Sequence, residues 1–182
     1  MTRLTVLTAP DPRLKIKAKA VAKVDAEVRR LMAGMLETMY AAPGIGLAAP
    51  QVGVAKRVIV LDIAAKDEPR APLKMANPDI LSASDETVTY EEGCLSVPEH
   101  FADVKRPARI RVRYLDEENE IRVLEAEGLL ATCIQHEMDH LNGVLFIDKI
   151  SMLKRSIILR KLAKSKRDEP EAVPARGARA RL

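Results

Sequence analysis

The most constraining feature of this chain is His136-Glu137-Met138-Asp139-His140, which joins two of its three histidines in an H-E-x-x-H pattern. At the chain's own residue frequencies, chance supplies roughly 0.004 such motifs, so its presence asks for a physical reason. Leu129 to Leu141 carries apolar residues at helical spacing and stops at Asn142-Gly143, which puts the motif on a helix. Positions four apart on a helix stand one above the other on the same face, so both imidazoles can reach one metal ion. Glu137 lies about 100° further round the axis and is better placed to hold a water than to ligate, which makes it a general-base candidate.

Two imidazoles leave a metal underligated, because a catalytic site of this kind takes three protein ligands and keeps one position open. No H-x-x-G-x-x-H extension follows, and the next acid, Asp148, lies past the helix stop. The chain's two cysteines compete for the third place. Cys133 stands one turn before His136 and seven residues before His140, a rise of ~10 Å that a short thiol with a ~2.3 Å metal bond spans poorly. Cys94 is preferred: in Glu92-Gly93-Cys94-Leu95-Ser96 the glycine admits close backbone approach, and the Leu95 N–H can point at whatever the metal holds. Cys133 then reads as a buried helix cysteine lining the site. Two cysteines build no disulfide framework, so a reducing cytoplasm is expected.

The chain's 182 residues, 47% hydrophobic and 31% charged, suit one soluble globular domain and exclude collagen-like or wholly disordered classes. From Lys154 onward ten basic residues face three acidic ones, a net of +7 that leaves −3 for the first 153. That imbalance argues against a nucleic-acid-binding body and fits a C-terminal tail that touches a polyanion. Thr38 to Ala55 carries no charge, yet Pro43, Gly44, Gly46, Pro50 and Gly53 break it into loop, so no membrane span is expected. The N-terminus holds no apolar run long enough for a secretory signal.

Asp25 predicts the N-cap of a helix running to about Ala41, with a methionine-rich stripe that matches core packing. Lys56 to Ile63 and Leu73 to Asn77 read as strands, Ile80 to Tyr90 less clearly so, and Arg109 to Val123 as a hairpin turning at Asp116 to Asn119. Ser151 caps a final basic helix. A catalytic domain over residues 1–163 is expected, followed by a disordered basic tail over 164–182. The fold class is α+β, with antiparallel sheets packed around the central HExxH helix plus an N-terminal and a C-terminal helix. The small-sided loop Gly44 to Gln51 lets a substrate backbone lie against it, and the Gln51 side-chain amide can donate to a developing oxyanion.

GIGLAAPQ at 44–51, EGCLS at 92–96 and QHEMDHLNG at 135–143 resemble, in order and spacing, the three signature blocks of the peptide deformylase family. The likeness runs from about Thr5 to Lys164. It implies hydrolysis of the N-formyl group from the initiator methionine of nascent polypeptides, with one divalent metal: Fe(II) first, with Zn, Ni or Co as replacements. By the same resemblance Cys94, His136 and His140 are the ligands and Glu137 the acid/base, while Gln51 and the Leu95 N–H hold the oxyanion. Ile45, Tyr90, Glu92, Leu129, Cys133 and His136 would surround the methionine side chain, with Ile45, Gly46 and Gly93 offering backbone hydrogen bonds. A monomer is expected, as is a basic C-terminal helix and tail that docks on the ribosome.

Two departures touch downstream substrate binding. Pro43 stands where many relatives carry an acid, and His100-Phe101 where an arginine is common. Two rival readings are a metallopeptidase or other amidase, and a ribosome-binding protein with a structural metal. The first lacks a His or Glu third ligand, and the second has no use for Gln51 or Glu137.

Overall fold

A computed structural model describes residues 3–65 and 67–168. Its first helix, α1 (Ala26–Ala41), begins as the cap predicts: Asp25 Oδ1 accepts the N–H groups of Glu27 and Val28, each at 3.0 Å. Val28, Met32, Met35 and Met39 are buried, so the methionine stripe is core. The strands are β1 (Gly46–Ala48), β2 (Val58–Leu61), β3 (Leu73–Ala83), β4 (Thr87–Cys94), β5 (Val97–Pro107), β6 (Arg109–Leu115) and β7 (Ile121–Glu127). Five of them form an antiparallel sheet in the order β1-β2-β3-β6-β7, and β4 pairs with β5 in a separate hairpin. Helix α2 (Gly128–Leu141) carries the HExxH motif, and α3 (Met152–Asp168) closes the described chain. This is the expected α+β arrangement.

Strand β2 shows why its sequence is apolar throughout. Val58 and Val60 pack with the α1 residues Met32, Met35 and Met39, while Ile59 and Leu61 pack with Ile134, Met138 and Leu141 of α2. Helices therefore cover both faces, and each such side chain contributes about 1.5–3 kcal/mol on burial. In β6, Ile110 and Val112 are buried while the alternating Arg109, Arg111 and Arg113 face solvent, Arg113 paired with Asp79. A third cluster, with Val97, Val104, Phe146, Ile158 and Leu162, joins the β4–β5 hairpin to α3.

Three local expectations change. Residues 44–51 read as a loop too small-sided for a strand core, yet Gly46–Ala48 is an edge strand paired with β2 as Gly46↔Leu61 and Ala48↔Ile59. The reason is burial on both faces, Leu47 packing toward α1 and Ala48 toward α2, both fully buried. Strand β3 continues past Asn77 to Ala83, and its register against β6 shifts at 76/79 and 80/82. Those bulges let a strand accommodate Pro78. Helix α3 runs five residues beyond Ala163, to Asp168. The rest of the expected tail, 169–182, lies outside the described residues.

The helix stop after α2 fits tightly. Gly143 has φ +72°, and a Cβ there would overlap the backbone carbonyl of Lys15. That segment is itself tied to the helix end by Ala18 N–H donating to Leu141 O at 2.8 Å. Gly143→Ala is therefore expected to destabilise by about 2 kcal/mol or more and to lower Tm by about 5 °C or more in a thermal melt.

Candidate metal centre and active site

Three segments converge under α2. The hairpin brings Cys94, at the end of β4, where the register shifts from Gly93↔Phe101 to Cys94↔Val97 and turns the tip toward the helix. Helix α2 brings His136, Glu137 and His140, all buried. The 3-10 turn Ala49–Val52 after β1 brings Gln51, also buried. Cys94 Sγ lies 3.2 Å from His140 Nε2, and the ligand atoms of Cys94, His136 and His140 all fall within 4.8 Å of one another.

A thiol and two imidazoles crowded this closely suit a cation between them, and sulfur with nitrogen is a donor set compatible with Zn(II) or Fe(II). Glu137 Oε2 is buried without a hydrogen-bond partner among the described residues, as an atom awaiting water or substrate would be. The residues thus fit a catalytic metal ion. Of the two cysteines, Cys94 is the one grouped with the two histidines. The Cys133 thiol instead donates to Ile45 O at 3.6 Å, and burial pushes its pKa well up, which keeps it protonated.

Behind His136 stands a buried ionic network absent from the sequence reading. Glu92 Oε2 accepts from His136 Nδ1 at 2.8 Å, leaving Nε2 of that ring for a metal. Arg106 donates to both oxygens of Glu92, through Nε at 2.5 Å and Nη2 at 2.9 Å, and to Asp139 Oδ2 through Nη1 at 2.8 Å. Burial disfavours charge on Glu92, but the hydrogen bonds from Arg106 and His136 outweigh it and hold the carboxyl below its usual range. Glu92, expected around the substrate's methionine, therefore has its carboxylate committed to His136 and Arg106. The signal available in sequence was slight: Val104 and Arg106 share a strand face, and burial of the arginine there is a tertiary fact.

Glu137 has a perturbed carboxyl. Burial is the main cause that lifts its pKa to about 7, with His136 and Arg106 opposing. Its Oε1 packs against Gly46, where a Cβ would overlap it. Gln51 is held by its oxygen: Oε1 accepts Ala48 N–H at 2.8 Å, so Nε2 faces Cys94 Sγ at 3.5 Å and Ser96 Oγ at 3.1 Å.

A cavity of about 480 Å³ opens above these groups. Ile45, Gly46, Gln51, Cys94, Leu95 and Glu137 line it together with Tyr90, Glu92, Gly93, Leu129, Cys133 and His136. His140, fully buried, is not among the residues that line it. The Ile45 carbonyl already accepts from Asp62 N–H at 2.9 Å and from Cys133, so that residue has its N–H to offer a substrate. His100 and Phe101 stand at the mouth, the imidazole Nδ1 bonded to Pro98 O at 2.7 Å and the phenyl ring 64% exposed over Gly93.

Removing the support behind His136 has separable effects. Glu92→Ala is expected to weaken metal affinity by about 10–100-fold in a chelator-competition titration. Arg106→Ala leaves two carboxylates without their buried partner and is expected to cost about 3–5 kcal/mol in urea unfolding.

Comparison with known proteins agrees with this geometry. Residues 3–156 match the family model for polypeptide deformylase. The peptide deformylase of Methylocella silvestris is 55% identical over 175 residues, covering 93% of this chain and 89% of its own. That of Rhizobium meliloti is 52% identical over 180 residues, with 99% of each covered. Among solved structures, peptide deformylase from Ehrlichia chaffeensis superposes with a TM-score of 0.88 at 41% identity, covering 92% of this chain and 99% of its own, and a second structure of it is in complex with actinonin. With the matched model and relatives spanning nearly its whole described length, this chain belongs to the peptide deformylase family, the metal-dependent hydrolases that remove the N-formyl group from nascent polypeptides.

Proposed function

We propose that this chain performs its family's reaction on formyl-methionyl peptides with Cys94, His136 and His140 as metal ligands, Glu137 as general acid/base, and Gln51 with the Leu95 N–H as oxyanion donors. The observation that carries the reading is the meeting of three ligand atoms within 4.8 Å beside a carboxylate oxygen with no protein partner. One divalent ion, Fe(II) first and Zn, Ni or Co as alternatives, would supply Lewis acidity to the formyl carbonyl and lower the pKa of water at the site.

The residues divide the remaining work. Glu137 removes a proton from the attacking water and returns it to the leaving amine nitrogen, a role for which a pKa of about 7 suits it at neutral pH. Gln51 Nε2 and the Leu95 N–H donate to the formyl oxygen as charge gathers there. Ile45 N–H, Gly46 and Gly93 hydrogen-bond the peptide backbone, while Tyr90, Leu129 and Cys133 wall the methionine side chain. Glu92 and His136 belong to that wall through their carbon atoms. Actinonin, seen bound to the Ehrlichia chaffeensis relative, is expected to occupy the same cavity.

One copy contains the whole donor set, which supports a monomeric enzyme, and a reducing cytoplasm suits a ligating thiolate. We also propose that α3 and the tail dock on the ribosome. Met152 and Leu153 are 85% and 70% exposed, and Lys154, Arg160, Lys161 and Lys164 are exposed on the same helix, an apolar and cationic surface suited to RNA-rich partners.

Glu137→Ala is expected to keep the metal and the fold while lowering kcat for formate release from formyl-Met-Ala-Ser by about 10²–10⁴-fold; full activity in that variant removes the assigned role. Cys94→Ala is expected to lose bound metal by elemental analysis, whereas Cys133→Ala keeps it. Reversing Lys154, Arg160 and Lys161 to Glu is expected to abolish ribosome co-sedimentation at low salt, and undiminished binding discards the docking proposal.

A further inference from the structure

Beside the donor set lies a buried hydroxyl that the reaction as described does not use. Ser96, the second residue of the turn between β4 and β5, has no solvent exposure. Its Oγ accepts from Gln51 Nε2 at 3.1 Å, and its N–H donates to Cys94 Sγ at 3.4 Å. It stands behind the cavity wall and is not among the residues lining the cavity.

The planar amide of Gln51 needs two anchors to have a fixed plane. A terminal amide torsion is soft, so a group held only through its oxygen swings about that one contact. Ala48 N–H supplies the first anchor at 2.8 Å and Ser96 Oγ the second at 3.1 Å. With one Nε2 proton committed to Ser96, the other is directed to the Cys94 side, where Nε2 already lies 3.5 Å from Sγ. The backbone beneath is clamped as well. Leu7 N–H donates to Gln51 O at 2.7 Å and Ala9 N–H to Ser96 O at 2.8 Å, so one N-terminal segment ties the two chain segments together.

We infer that Ser96 is a positioning residue for the reaction: its hydroxyl fixes the plane of the Gln51 amide so that the free Nε2 proton points at the oxygen that gains charge. The inference rests on the proposed role of Gln51. Because Ser96 acts through Gln51, its removal lowers kcat and leaves KM in place, and it has nothing left to remove once Gln51 is gone.

The test is a double-mutant cycle on the full-length, metal-loaded enzyme with formyl-Met-Ala-Ser, using Ser96→Ala, Gln51→Ala and the pair. Gln51→Ala is expected to lower kcat about 10²-fold, and Ser96→Ala about tenfold at unchanged KM. In the Gln51→Ala background, Ser96→Ala is expected to cost less than about twofold. A second readout is independent of turnover. In the zinc-loaded wild type the Gln51 side-chain amide, assigned by its loss in Gln51→Ala, is expected to show ¹⁵N relaxation as rigid as the backbone, and Ser96→Ala to loosen it. Equal kcat losses in both backgrounds overturn the inference. So does a freely turning Gln51 amide in the wild type, an outcome that needs no variant to fold. A wild type that releases no formate refutes the functional reading instead, and the relaxation measurement still judges the Ser96 arrangement.

Discussion

A cysteine sulfur 3.2 Å from an imidazole nitrogen, one at the tip of a hairpin and the other inside a helix 46 residues away, is the contact on which the rest of the molecule depends. A proton shared between sulfur and nitrogen can hold that pair, and a cation set among the sulfur and the two imidazoles would replace it and engage all three donors at once. The sheet, α1 and α2 form a packed sandwich centred on β2, and the hairpin is bound to the α3 end by a separate apolar cluster. Function lies where those two bodies meet.

Charge is managed at the same junction. Arg106 reaches two carboxylates, one of which orients a histidine, so a full charge is kept inside the protein by partners that also set ligand geometry. Lys149 adds a 3.2 Å contact to Asp139 at the outer edge of this network. Replacing such a group with apolar residues could match its stability and would lose the orientation of the ring. Glu137, by contrast, has no cation bonded to it and keeps an oxygen without a partner. Two buried carboxylates, Glu92 on β4 and Glu137 on α2, thus serve different ends, one anchored as a strut and the other left with a raised pKa.

Much of this was legible in the chain because it is written in local periodicity. The capped α1, the HExxH helix with its Asn-Gly stop and the β6–β7 hairpin each declare themselves within a dozen residues. Helix rise argues against Cys133 and the glycine-flanked stretch around Cys94 for it, while Gln51 is marked by its amide in a small-sided stretch. What the sequence does not declare depends on partners remote in sequence. Strand β1 has residues too small to show alternation and is made a strand by two helices closing on it. Strand β3 hides behind Pro78, which only bulges make tolerable. Glu92 does line the cavity, but nothing near it in sequence announces that an arginine 14 positions later pulls its carboxylate inward.

The central claim, that one sulfur and two imidazole nitrogens grip a single ion in this fold, is tested most directly by X-ray absorption at the metal edge of the purified holoenzyme. One sulfur scatterer at about 2.3 Å together with two imidazole nitrogens near 2.0–2.1 Å is the predicted first shell. A shell of nitrogen and oxygen alone, with no sulfur, contradicts it.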